Sequence, residues 1–98
     1  MKIIAIETEL PGVTSDKFTP EIRKAEAEKA WQLQQAGIIR ELYFQKEQHI
    51  AVLILECADE TEAKKYLSTL PLVKEKLIRF DLIPLLPYDG FSRLFSNN

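Results

Sequence analysis

Few residues in this chain are of the kinds that build redox or metal centres. Cys57 is the only cysteine and His49 the only histidine. One cysteine excludes an intrachain disulfide and a thiolate metal cluster. One histidine leaves a His-based metal site or Ser–His catalysis hanging on a single residue, so no metal is expected. Basic runs are also missing. With a net charge of −2 and no cluster of Lys or Arg, nothing draws the chain to nucleic acid. Long apolar runs are absent too, and none approaches the roughly 20 residues of a membrane span. The opening MKIIAIETEL has one Lys and a short apolar stretch broken by Glu7, too little for a signal peptide. No membrane partner and a cytoplasmic location are the resulting expectations. Repeats, low-complexity segments and internal linkers are not found.

What is present reads as one small globular domain over residues 1–98, 46% hydrophobic and 29% charged. A chain of this length buries a modest core, so oligomerisation would be an efficient further source of burial. Residues 2–10 are expected to form a strand covered on both sides, because Ile3, Ile4 and Ile6 put apolar groups on both faces. Pro11 and Gly12 end it. Thr19 is a good N-cap, Pro20 suits the first helical position, and the helix runs to Ala36 with Gly37 as its stop. Residues 38–46 and 49–57 read as two strands joined tightly at Glu47 and Gln48, a hairpin whose second member is apolar enough to be central. In the first of these strands, simple alternation groups Ile38, Arg40, Leu42 and Phe44 on one face and Ile39, Glu41, Tyr43 and Gln45 on the other. Asp59 caps a second helix that Pro71 ends. A connection follows, and residues 77–86 form the last strand, which Pro84 assigns to a sheet edge.

The first helix carries an anomaly. On a wheel of about 100° per residue, Leu33, Glu26, Lys29 and Ala36 all fall within about 40° of Ile22. A carboxylate and an amine thus stand in the middle of the face that meets the core, where desolvation is costly. Burial should raise the Glu26 pKa, and the neighbouring Lys should pull it back. Trp31 lies on the opposite side, as a subunit contact would require.

The order β-α-β-β-α-β is the ferredoxin-like split arrangement of an α+β protein: a four-stranded antiparallel sheet with both helices on one face. The other face keeps its Ile, Leu, Phe and Val, and no further helix is expected to cover it. A second copy packed sheet to sheet, as a dimeric α+β barrel, is the economical cover. The tail, residues 87–98, holds Phe91, Leu94 and Phe95 and is expected to dock on another subunit.

These elements contain Ala25-Glu26-Ala27-Glu28, Leu33-Gln34, Gly37, Arg40, Leu42 and a Leu67–Leu72 segment ending in Leu-Pro-Leu, preceded by a first strand closing on Leu10-Pro11. In these residues the chain resembles the muconolactone isomerases, a family within the dimeric α+β barrel group. Beyond the Leu-Pro-Leu turn the match weakens, and the tail looks like that of uncharacterised relatives. The resemblance implies the ferredoxin-like fold, homodimers assembled into rings, typically decamers, and a cofactor-free acid–base isomerisation of a small carboxylated unsaturated lactone. It places the proton-transfer carboxylate on Glu26. Ile39 stands where the family has an aromatic residue and Tyr43 where it has Trp, so the pocket differs.

Beside Glu26, three residues are candidates for binding a small-molecule substrate. Lys29 has the charge to hold a carboxylate or stabilise an enolate, or it snorkels with its ammonium in water. Arg40 suits bidentate capture of a carboxylate, or forms an edge ion pair. Tyr43 either bonds a ligand or fills the core. Glu26 itself has the alternative of a simple i,i+3 pair with Lys29. His49 is expected to be a solvated hairpin residue and Cys57 a small buried hydrophobe. Two functions follow: an isomerase using Glu26, or a non-catalytic ligand-binding or assembly module of the same fold. A haem or oxygen enzyme fits less well, because such sites usually want a proximal His and His49 is expected at a strand start, outside the inferred pocket.

Overall fold

The structure is a computed structural model and describes residues 1–96. Among the described residues the strands and α-helices follow in the order β1 (Lys2–Glu9), α1 (Pro20–Gln35), β2 (Ile39–Phe44), β3 (Ala51–Glu56), α2 (Glu60–Leu67), α3 (Pro71–Lys74) and β4 (Ile78–Leu85). The expected order is present, with α3 added. The connection after α2 was expected to be plain chain, but Pro71 does not merely end α2. It opens a short helical turn at the first position, behind Leu70, where a missing N–H does no harm.

The sheet order is β2-β3-β1-β4, with every pair antiparallel. β1 and β3 are central, as the apolar character of β3 requires. β4 is an edge strand, which is why it tolerates Pro84. Ile3 and Ala5 of β1 pair with Leu55 and Leu53 of β3, and all four are buried beneath the helices. Leu33 of α1, Ile39 of β2, Ala63 and Leu67 of α2, Leu70 and Cys57 join that core. The other face carries Ile4, Ile6, Val52 and Ile54, half-buried, and the exposed Ile83.

Local chemistry explains the helix ends. Thr19 accepts the Ile22 N–H at 3.2 Å. Gly37, at φ +81°, turns the chain out of α1, with the Ile38 N–H donating to the Leu33 carbonyl at 3.0 Å. Asp59 accepts the Glu62 N–H at 2.8 Å while Glu62 reaches back to the Ala58 N–H at 2.7 Å. Asp59→Ala should therefore cost about 1 kcal/mol, measurable by urea denaturation, with the sheet unchanged.

The hairpin departs from simple alternation in two ways. A bulge sits between Ile39 and Glu41. Ile39 pairs with Leu55, Leu42 with Leu53 and Phe44 with Ala51, so these three share the helix-covered face. Glu41 and Tyr43, opposite Ile54 and Val52, take the open face. The grouping of Arg40 with Leu42 and Phe44 is thus corrected: Arg40 is the extra residue of the bulge. The connection is also longer than two residues. Strand structure stops at Phe44 and resumes at Ala51, because the Gln45 N–H bonds the Ile50 carbonyl and closes a loop. His49 lies in that loop, not in a strand, at φ 55° and stacked on Phe44 with ring centroids 4.0 Å apart.

After β4 the chain leaves the sheet. Phe91 and Leu94 lie in a 3-10 turn over Gly90–Leu94, and Phe95 follows it; all three are exposed, Phe95 at 87%. Asn97 and Asn98 lie outside the described residues. Among the described residues no helix is long and apolar enough to cross a membrane.

Candidate functional site

α1 turns Ile22, Ala25, Glu26, Lys29, Ala30 and Leu33 toward the sheet, where each is partly or fully buried. Trp31 faces away and is 62% exposed. The helical wheel had placed the two charges correctly, and the structure shows what Glu26 does there. Its Oε1 accepts the backbone N–H of Leu72 at 2.9 Å. That N–H belongs to the first turn of α3, where no helical carbonyl is available to it. Leu70, the N-cap of α3, offers no side-chain acceptor. Glu26 thus supplies from α1 the acceptor that a capping residue would supply locally, and it ties the two helices together.

Burial of Glu26 pushes its carboxyl pKa up, the Leu72 N–H pulls it down, and the negative charge of Glu7 pushes it up again. The lysine expected to lower it is not the charged neighbour that matters. Among the described residues the ion pairs join the Met1 amino group to Glu56 at 2.7 Å and Arg79 to Asp81 at 3.1 Å. Lys29, one turn beyond Glu26, forms none with it.

Glu7 was not singled out in the sequence. Its signal was available: Ile3, Ala5 and Glu7 are spaced by two, and the first two are buried beneath the helices. Across the sheet Glu7 pairs with Phe80 on β4. Its Oε1 accepts the Ala51 N–H at 2.9 Å, at the start of β3. Both carboxylates are therefore oriented by a backbone donor on the helix-covered side. Glu7→Gln keeps an acceptor for Ala51 and removes the charge. The Glu26 pKa should then fall toward its ordinary value, read from the side-chain carboxyl carbon in an NMR titration.

Arg40 and Tyr43 do not join this pair within one chain. Arg40 curls back so that its Nε donates to the Gly37 carbonyl at 2.7 Å. Gly37 is eleven residues past Glu26, about 16 Å along a helix axis. Tyr43 stands on the open face and donates to the Glu41 carboxylate, an acceptor that raises the phenol pKa. Cys57 is buried as expected, and burial pushes its thiol up. Among the described residues, no three His, Cys, Asp or Glu side chains gather to hold a metal.

Glu26 is thus a half-buried carboxyl with raised proton affinity and one oxygen anchored. Such a group can take a proton from a carbon acid and return it.

A family model described as muconolactone delta-isomerase matches residues 3–89 of the chain. Among solved structures, a crystal structure of muconolactone isomerase superposes with a TM-score of 0.73 at 21% identity, over 92% of this chain and 93% of that one. At that identity the likeness establishes the fold. Comparison with curated proteins finds no match.

Proposed function

The chain belongs to the muconolactone delta-isomerase family, and on that footing we propose that it moves a double bond within a small carboxylated unsaturated lactone, with Glu26 as the proton-transfer group. The observation in support is the state of Glu26: partly buried, anchored on the Leu72 N–H, and higher in proton affinity than a solvated glutamate.

Glu26, ionised, takes the proton from the carbon at one end of the allylic system. The bonding electrons pass through the ring to the carbonyl oxygen and give an enolate. The carboxyl then returns its proton to the carbon at the other end, and the double bond has shifted. One carboxyl serves both steps when it reaches both carbons. Lys29, the next turn along the same face, is the cation available to the enolate oxygen. Arg40 and Tyr43 are outside the single-chain site. A second copy laid over the open face would bring Tyr43 into an interface.

Self-association is part of the same proposal. Ile4, Ile6, Val52, Ile54 and Ile83 form an apolar sheet face that a second copy would cover, and Phe91, Leu94 and Phe95 offer more apolar surface to further copies. The test of function is direct. Purified protein is mixed with muconolactone and formation of the enol-lactone is followed by proton NMR. No turnover above background removes the isomerase and leaves a binding or assembly module of this fold.

A further inference from the structure

An isomerase of this kind needs a place for its substrate's ring and a countercharge for its carboxylate. Arg40 lies by the Gly37 carbonyl at the far end of α1 from Ile22, and Tyr43 is on the other side of the sheet. Lys29 lies along α1 toward Leu33. In the opposite direction, toward the start of α1, there is an open groove of about 520 Å³. That volume falls within the ~300–1,000 Å³ of small-molecule sites.

The groove is built by segments distant in sequence. Val13 and Lys17 come from the connection between β1 and α1, Ile22 from α1, Pro71 and Glu75 from α3 and its end, and Leu77 from the residue before β4. Two of these walls lead to Glu26. Ile22 is four residues before it on the same face, about 6 Å along the axis. Pro71 immediately precedes Leu72, whose N–H holds the Glu26 carboxylate. Glu26 and Leu72 do not themselves line the groove; Ile22 and Pro71 are the lining residues that adjoin their contact along the chain. Its charges are arranged with a sense. Lys17 is the cation of the lining, at the end of a 3-10 turn, and Glu75 lies on the α3 side. An anion entering the groove is drawn to the Lys17 side and repelled from Glu75. Val13, Ile22 and Leu77 supply apolar surface for an uncharged ring.

We infer that this groove seats a small lactone bearing a carboxylate, and that Lys17 holds the carboxylate while the ring lies against Ile22 and Pro71, toward Glu26. The site makes Lys17 a specificity-determining residue: it selects acids over neutral lactones. The identity of the ring rests on the isomerase reading above; the groove and its cation do not.

The test reads binding, not turnover. The full chain, labelled with nitrogen-15, is titrated with 5-oxotetrahydrofuran-2-acetate, a saturated lactone that cannot isomerise, and with its methyl ester. The acid should shift the amides of Val13, Ile22 and Leu77. Lys17→Met should weaken it about threefold, the order expected for one ion pair at an exposed lysine, whereas Lys17→Arg should keep most of the affinity. The ester should bind wild type and Lys17→Met alike. No binding to wild type, shifts confined to other surfaces, or a Lys17→Met affinity equal to wild type would each overturn the inference. Lys17-dependent binding in a protein that fails to convert muconolactone sinks the role of Glu26 and keeps the groove.

Discussion

Glu26→Gln lowers muconolactone turnover by about 10²–10⁴-fold, the usual worth of a positioned acid–base group, and leaves the protein folded. Gln keeps the length of the side chain and an oxygen that accepts the Leu72 N–H, so the α1–α3 link persists. What it loses is the exchangeable proton. Because Glu26 acts first as a base, wild-type kcat/KM should rise with pH through a pKa displaced above that of a solvated glutamate. The variant's residual rate should lack that limb.

The same displacement has a sign for stability. A carboxyl whose folded pKa is raised binds its proton more tightly in the native state than in the unfolded one. Its contribution is fully present below the unfolded pKa of about 4.3 and is lost as pH rises through the folded value. Ionised Glu26 is therefore a local cost at neutral pH. Glu26→Gln should match or exceed wild-type stability at pH 7 in urea, and the advantage should vanish below about pH 4. A variant that is inactive because it is unfolded would show the opposite at pH 7. Stability and rate together therefore separate chemistry from structure.

Leu55→Ala should produce the largest loss of stability. Leu55 has no exposed surface, lies on a central strand, and faces Ile3 on one side and Ile39 on the other. Truncating such a leucine removes its transfer free energy and leaves a cavity that a sheet interior does not close, at about 2–5 kcal/mol. A domain of this size has about 5–15 kcal/mol in total. At about 4–8 °C per kcal/mol, thermal unfolding should move down by at least about 8 °C, read by circular dichroism. A change under 1 °C would mean that the β1–β3–β2 layer is not the centre of the core.

Much of the architecture was legible because it rests on local signals. The Thr19 and Asp59 caps are set by side chains within a few residues of the groups they satisfy, and the Gly37 stop by a positive φ that glycine adopts freely. The edge position of β4 follows from one missing N–H at Pro84. The inward face of α1, with Glu26 and Lys29 on it, follows from a period of 3.6 that no distant contact alters. α3 was missed because Pro71 has two meanings, the end of one helix and the first turn of another. The hairpin was misread because one extra residue at Arg40 reverses every assignment before it, the sensitivity that a period of two imposes.

By itself, then, the sequence determined the strands, the two long helices, the family resemblance and the carboxyl most worth testing, since each depends on periodicity, capping or a contiguous motif. The tertiary structure alone decided what surrounds that carboxyl. The charge of Glu7 acts on it from β1, Leu72 holds it from α3, and Lys17 lines a groove whose walls come from four separate segments. Tyr43 and Arg40 are taken away from it by strand register and a bulge. Charge and distance between residues tens of positions apart depend on how strands align and where connections return, and no local pattern in the chain encodes those.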